Sequence, residues 1–197
     1  MFSYLKKHRE IPYAYPTEGI IKDYFKEYFK YKSPFCNASC IVIPPEVFTE
    51  VGCFPEDSHT GEDLYMWMKI ASRYEVCVTP NILMSYEYQE STFRDRLNRN
   101  IHIQADLFKS LYDPRKPYLN EVIAYWAIQD AIIQALMNNK NKSRSVERDF
   151  NYTRLNRKKL TQLRILNRIP SWGLWMIRKG WRAGSAVKTR LYGILEK

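Results

Sequence analysis

Sixteen Lys and Arg fall within residues 140–197, against only Glu147, Asp149 and Glu196, a net charge of +13. Residues 1–139 hold 15 Lys and Arg against 18 Asp and Glu, a net charge of −3. Charge at that density stays in water, because a buried charge needs a partner. The expected organisation is therefore one domain followed by a basic appendage, and the two portions face different electrostatic partners. The length of 197 residues suits that size. Fifteen Tyr, nine Phe and five Trp supply core material, which excludes a fully disordered chain. Seven Gly and ten Pro exclude collagen-like character.

No apolar run approaches the roughly 20 residues of a spanning helix. The start, Met1-Phe2-Ser3-Tyr4-Leu5-Lys6-Lys7-His8-Arg9, lacks the apolar stretch of a secretory signal, so the expected location is the cytoplasm. Cys36, Cys40, Cys53 and Cys77 form no C-x-x-C pair, and there are three His. Reduced, partly buried thiols are expected rather than a zinc site.

Pro12 and Pro16 break any early helix. From Thr17 the apolar spacing predicts a helix through Ile20, Ile21, Tyr24, Phe25, Tyr28 and Phe29. Ala38-Ser39-Cys40-Ile41-Val42-Ile43 reads as a buried strand, closed by Pro44-Pro45. A two-turn helix follows, with Pro45 at its start and Gly52 just past its end. Thr60 opens a helix with Leu64, Trp67, Met68, Ala71 and Tyr74 on one face. Glu75–Thr79 reads as a strand and Ile82–Tyr86 as another extended piece. Two helices, Phe93–Leu111 and Leu119–Met137, form an expected hairpin. Residues 138–143 read as a polar linker. The basic remainder has helical spacing, with breaks expected at Pro170, Gly173, Gly180 and Gly184.

Taken alone, Thr60-Gly61-Glu62-Asp63 fits a capping box, in which an acid three residues after a Thr satisfies the helix start. The wider pattern carries a second reading. Ser39-Cys40-Ile41-Val42-Ile43-Pro44-Pro45-Glu46-Val47-Phe48-Thr49-Glu50-Val51-Gly52-Cys53-Phe54, followed by Gly61-Glu62-Asp63-Leu64-Tyr65-Met66-Trp67, resembles the acceptor-side half of family 2 glycosyltransferases. The resemblance covers about fifty residues. It implies an α/β class chain: a partial GT-A type fold (acceptor half) over residues 1–90, a helical hairpin over 91–139 and a basic helical tail over 140–197. It also implies transfer of a sugar from a nucleotide-sugar donor to a glycan or lipid-linked acceptor with inversion.

Inversion needs a base to take a proton from the attacking hydroxyl. The resemblance assigns that role to Asp63, with Glu62 as an orienting or acceptor-contacting neighbour and Gly61 letting the acceptor approach; His59, as a ligand or acceptor contact, and Trp67, as an aromatic face, are further candidates. The competing reading of His59 is a solvated loop side chain, and of Trp67 a core residue. Arg94, Arg96 and Arg99 could face a pyrophosphate or line a solvated helix face.

Two departures from the family pattern matter. Tyr65 stands where the family often has a further acid, and no Asp-x-Asp occurs; Glu147-Arg148-Asp149 is the nearest sequence. The divalent metal (Mg or Mn) expected for the complete enzyme would therefore be held outside this chain. The 36 residues before Asn37 contain no βαβ pattern. The chain is thus expected to be inactive alone, as a truncated product or as the partner of a chain carrying the donor half. The alternative is a non-catalytic membrane-surface module, a remnant of such a transferase.

In the tail, Trp172, Trp175 and Trp181 sit among Arg168, Arg178, Lys179 and Arg182, a mixture suited to a lipid headgroup boundary. An anionic membrane surface is the expected partner of 140–197, at the cytoplasmic face. A solvated appendage with packed Trp residues is the competing reading. Nucleic acid is the less favoured partner, since no nucleic-acid motif is present.

Overall fold

The computed structural model describes residues 2–6, 9–13, 18–31, 38–56, 61–79 and 105–179. Helix dominates, accompanied by two antiparallel two-stranded sheets. The described residues fall into two compact units, one formed by residues up to 79 with 106–123, the other by 105 with 124–179.

In the first unit, β1 (Phe2–Lys6) pairs with β2 (Arg9–Tyr13) as a hairpin in which Pro12 lies opposite Ser3. A second pairing joins β3 (Gly19–Ile20) to β4 (Cys77–Val78), with Gly19 opposite Val78 and Ile20 opposite Cys77. The Ile21 amide extends this ladder by donating to the Val76 carbonyl at 2.8 Å. The helix expected from Thr17 therefore begins later, as α1 (Tyr24–Tyr31). Gly19 holds φ +129, an extended left-handed conformation that no helix start uses, and pairing claims the residues around it. The apolar stripe survives in part. Ile21, Tyr24, Phe25 and Tyr28 are buried, while Ile20 is half exposed.

The expected strand at Ala38–Ile43 does not form. Ala38–Cys40 is a single 3-10 turn, and residues 41–44 run on without a partner strand among the described residues. Val42 is 97% exposed, so the segment is not buried either. β-branched composition favours extended backbone, but a strand also needs a neighbour. The prolines at 44 and 45 remove two of the donors a ladder would use.

Helix α2 (Pro45–Val51) forms as expected, with Pro at its first turn and Gly52 at its C-cap. Helix α3 (Glu62–Ala71) is buried more broadly than one stripe, through five consecutive residues, Leu64 to Met68. At about 2 kcal/mol gross for each large apolar side chain, α3 anchors this unit. Ala71 is half-buried, and Tyr74 lies past the helix end. The Tyr74 hydroxyl donates to Glu50 Oε2, and Arg73 Nη1 donates to the Glu50 carbonyl at 3.4 Å. Together they clasp the end of α2 to the turn after α3.

Of the first arm of the expected hairpin, only α4 (Ala105–Lys109) lies among the described residues. Phe108 is buried edge-on to Tyr65, with ring centroids 6.1 Å apart. Helix α5 (Pro117–Leu136) matches the expected second arm. Its start is held by Asn120, whose side chain donates to the Asp113 carbonyl at 2.7 Å and accepts from the Asp113 amide at 3.1 Å. Arg115 pairs with both oxygens of Asp113 at 3.1 Å, and its hydrogen bonds hold that carboxyl below its usual range.

In the second unit, the latter part of α5 contributes buried Ala124, Ala127, Ile128, Ala131, Ile132, Ala135 and Leu136. The helix stops at Asn138, which takes φ +67. The Asn139 amide donates to the Gln134 carbonyl at 2.8 Å and the Asn138 amide to the Ala135 carbonyl at 3.0 Å. This paired arrangement is the Schellman stop, with Asn in the place glycine usually takes.

The expected linker at 138–143 is mostly helix, because α6 (Lys140–Asp149) begins two residues after that stop. Its buried face is Ser143 and Val146, too few apolar positions to announce a helix by period. Next comes α7 (Arg157–Arg168), with Leu160, Leu163 and Leu166 buried. A polar network joins α6 to α7. Ser143 Oγ donates to Asn167 Oδ1 at 2.5 Å, and Asn167 Nδ2 donates to Glu147 Oε2 at 2.7 Å. Arg164 lies 3.8 Å from the other Glu147 oxygen.

Pro170 separates α7 from the last described helix, α8, residues 171–179. Gly173 lies inside α8 and is not the expected break. A Cβ there would come within 2.8 Å of Ile169 Cγ2, so glycine permits a close approach instead.

Cys40, Cys53 and Cys77 are exposed, where partial burial was expected. Among the described residues no helix is long and apolar enough to cross a membrane. Ile82–Tyr86, Arg94, Arg96, Arg99, Gly180, Trp181, Arg182 and Gly184 lie outside the described residues.

Candidate functional site

The acidic pair stands at the start of α3, reached from α2 through Gly52–Glu56. Gly52 ends α2 at φ +83, ψ 176, a conformation nearly closed to any residue with a Cβ. Phe54 packs between Phe48, at 6.1 Å between centroids, and Trp67, at 5.8 Å. Thr60 and His59 lie outside the described residues.

Gly61 is the N-cap, in the left-handed conformation at φ +82, ψ 10, and its carbonyl accepts from the Tyr65 amide at 2.9 Å. The capping-box register is therefore displaced by one. Asp63 occupies the second helical position rather than the third, and no side chain caps the helix. Glycine takes the left-handed conformation at no steric cost, so the helix starts from it and not from the Thr.

This register sets what each acid can do. Asp63 is exposed, and its Oδ1 accepts from the Leu64 amide at 2.6 Å. Oδ2 takes no hydrogen bond among the described residues. The carboxylate is thus tethered through one oxygen at the positive end of a helix, with the other left over. Glu62 is half-buried, and its Oε2 is shielded without a hydrogen-bond partner.

Trp67 is 6% exposed and meets Phe54 edge-on, so its ring belongs to the core and offers no stacking platform. Its Nε1 is buried without a partner. The structure therefore places Gly61, Glu62 and Asp63 at the helix start and Trp67 in the core against Phe54.

A feature invisible to sequence reading lies at the opposite end of α3. A cleft of about 490 Å³ is lined by residues 21–25, 71–76 and 115–119. Lys22, Arg73, Arg115 and Lys116 contribute cations to it, and Asp23 and Glu75 contribute carboxylates. Three of those cations are engaged: Lys116 with the Ser72 carbonyl, Arg73 with the Glu50 carbonyl and Arg115 with Asp113. Such a cleft is assembled from three distant stretches, and no local spacing signals it.

Among the described residues no three His, Cys, Asp or Glu side chains come together as a metal site. The chain matches no protein-family model, no curated protein and no solved structure.

Proposed function

We propose that this chain is the acceptor-side part of an inverting glycosyltransferase with a GT-A type fold, and that Asp63 is its general base. The observation that carries this reading is the state of Asp63: exposed, tethered through Oδ1 by the Leu64 amide at 2.6 Å and, among the described residues, unengaged at Oδ2. A base must be held still and must keep a lone pair for the substrate.

Asp63 Oδ2 takes the proton from an acceptor hydroxyl. The hydroxyl oxygen attacks the anomeric carbon of a nucleotide-sugar. As that bond forms, the bond from the anomeric carbon to the phosphate oxygen breaks, and its electron pair leaves with the nucleoside diphosphate. Gly61 leaves room for the acceptor beside the helix start, and Glu62 orients it. The divalent metal of the complete enzyme would be held by residues of the nucleotide-binding half. The nucleotide-binding half would come from another chain or from a longer form of this one.

The test is transfer of labelled sugar from a panel of nucleotide-sugars to glycan and lipid-linked acceptors, with the chain supplied alone and together with a donor-half partner. Activity is expected only in the combination. Asp63→Asn should then lower kcat by at least about 10²-fold with the fold intact by circular dichroism. Transfer undiminished in Asp63→Asn would remove the base assignment.

A further inference from the structure

Helix α8 carries a face that the rest of its unit does not cover. Leu174 is fully buried and faces inward. Trp172, Trp175 and Met176 are 70%, 49% and 59% exposed. Their spacing of three and four places them together on the outward side. The helix is nonetheless tied down. Ser171 Oγ donates to Asn138 Oδ1 at 2.9 Å, and Lys140 Nζ donates to the Ile169 carbonyl. An anchored helix displaying two Trp and a Met to water leaves a large apolar cost standing.

Charge indicates what relieves it. Residues 140–179 carry twelve Lys and Arg against Glu147 and Asp149. Arg168 is exposed at the end of α7, and Lys179 lies at the far end of the α8 face. The Lys179 ammonium stands 4.0 Å from the centroid of the Trp175 ring.

We propose that α8 docks on an anionic bilayer surface, lying in the plane of the headgroups. Trp172, Trp175 and Met176 enter the headgroup–acyl boundary, and Arg168, Lys179 and the neighbouring cations face lipid phosphates. This inference is independent of the sugar-transfer reading.

The test is flotation of the full chain with vesicles of phosphatidylcholine alone or with about one third phosphatidylglycerol, at about 0.1 M salt. Binding is expected to the anionic vesicles only, with Trp emission shifting to shorter wavelength. Trp172→Ala and Trp175→Ala should each weaken partitioning about tenfold, and about 0.5 M salt should release the protein. Both residues are exposed, so far-UV circular dichroism should be unchanged. The proposal is overturned if the wild-type protein stays in the aqueous phase, or if the double variant floats as the wild type does. It is equally overturned if the two Trp residues are needed instead for binding an oligonucleotide or for self-association seen by analytical ultracentrifugation.

Discussion

Two glycines with similar φ play different parts around the candidate site, and ψ separates them. Gly52 sits at ψ 176, in a region that excludes every residue with a Cβ. Gly61 sits at ψ 10, the ordinary left-handed region that Asn also visits. A Cβ on Gly52 would find Lys69 Nζ at 3.8 Å, an ordinary contact, so the penalty there is conformational and not steric crowding. Gly52→Ala and Gly52→Asn should therefore both destabilise by about 1–3 kcal/mol in urea melts. At Gly61, Asn should recover part of the loss caused by Ala. Equal losses for Ala and Asn at Gly61 would contradict the left-handed cap and the position of Asp63 that depends on it. Neither conformation can be read from the letter Gly, which is why the helix start is displaced by one from the capping-box register.

Among the elements, α2 and α5 were readable because punctuation marks them. Pro45 and Gly52 bracket α2, while Pro117 and Asn138-Asn139 bracket an apolar run in α5. Ala38–Ile43 misleads because its composition suits an unpaired extended chain as well as a strand. α6 hides because its inward face is mostly Ser143 and Val146, and its tie to α7 runs through Asn167 rather than through apolar residues. The clasp between α2 and the end of α3 is likewise polar. Its signature is a titration, since the hydrogen bond to Glu50 holds the Tyr74 phenol above its ordinary 10.0. A phenol raised on folding contributes stability that is whole below pH 10 and fades as pH rises through the folded value. Ultraviolet titration of wild-type protein against Tyr74→Phe should place this phenol above 10, and Glu50→Gln should bring it back toward 10. A wild-type midpoint at or below 10 would mean the clasp is not made in solution.

For the whole molecule, charge segregation was fully legible, and it divides behaviour between the two units. The basic stretch 140–179 repels itself, and only a few contacts such as Glu147 with Arg164 offset this. Salt shortens the reach of that repulsion from about 10 Å at 0.1 M to about 3 Å at 1 M. Amides of α6 and α7 should therefore gain hydrogen-exchange protection as salt rises, while those of α3 change less. A uniform response across both units would show that self-repulsion is not what limits the second. What remained out of reach of the sequence was long-range: the cleft at the far end of α3 draws on residues about fifty positions apart, and the outward turn of Trp172 and Trp175 depends on which face Leu174 buries.

The cysteines follow the same division. All four precede residue 78, and the three described, Cys40, Cys53 and Cys77, are open to solvent. A maleimide dye or spin label will accordingly tag the first unit and leave the second clean, with no residue replaced. The dye then reports from the first unit alone, while the exposed Trp172 and Trp175 stay unmodified in the other.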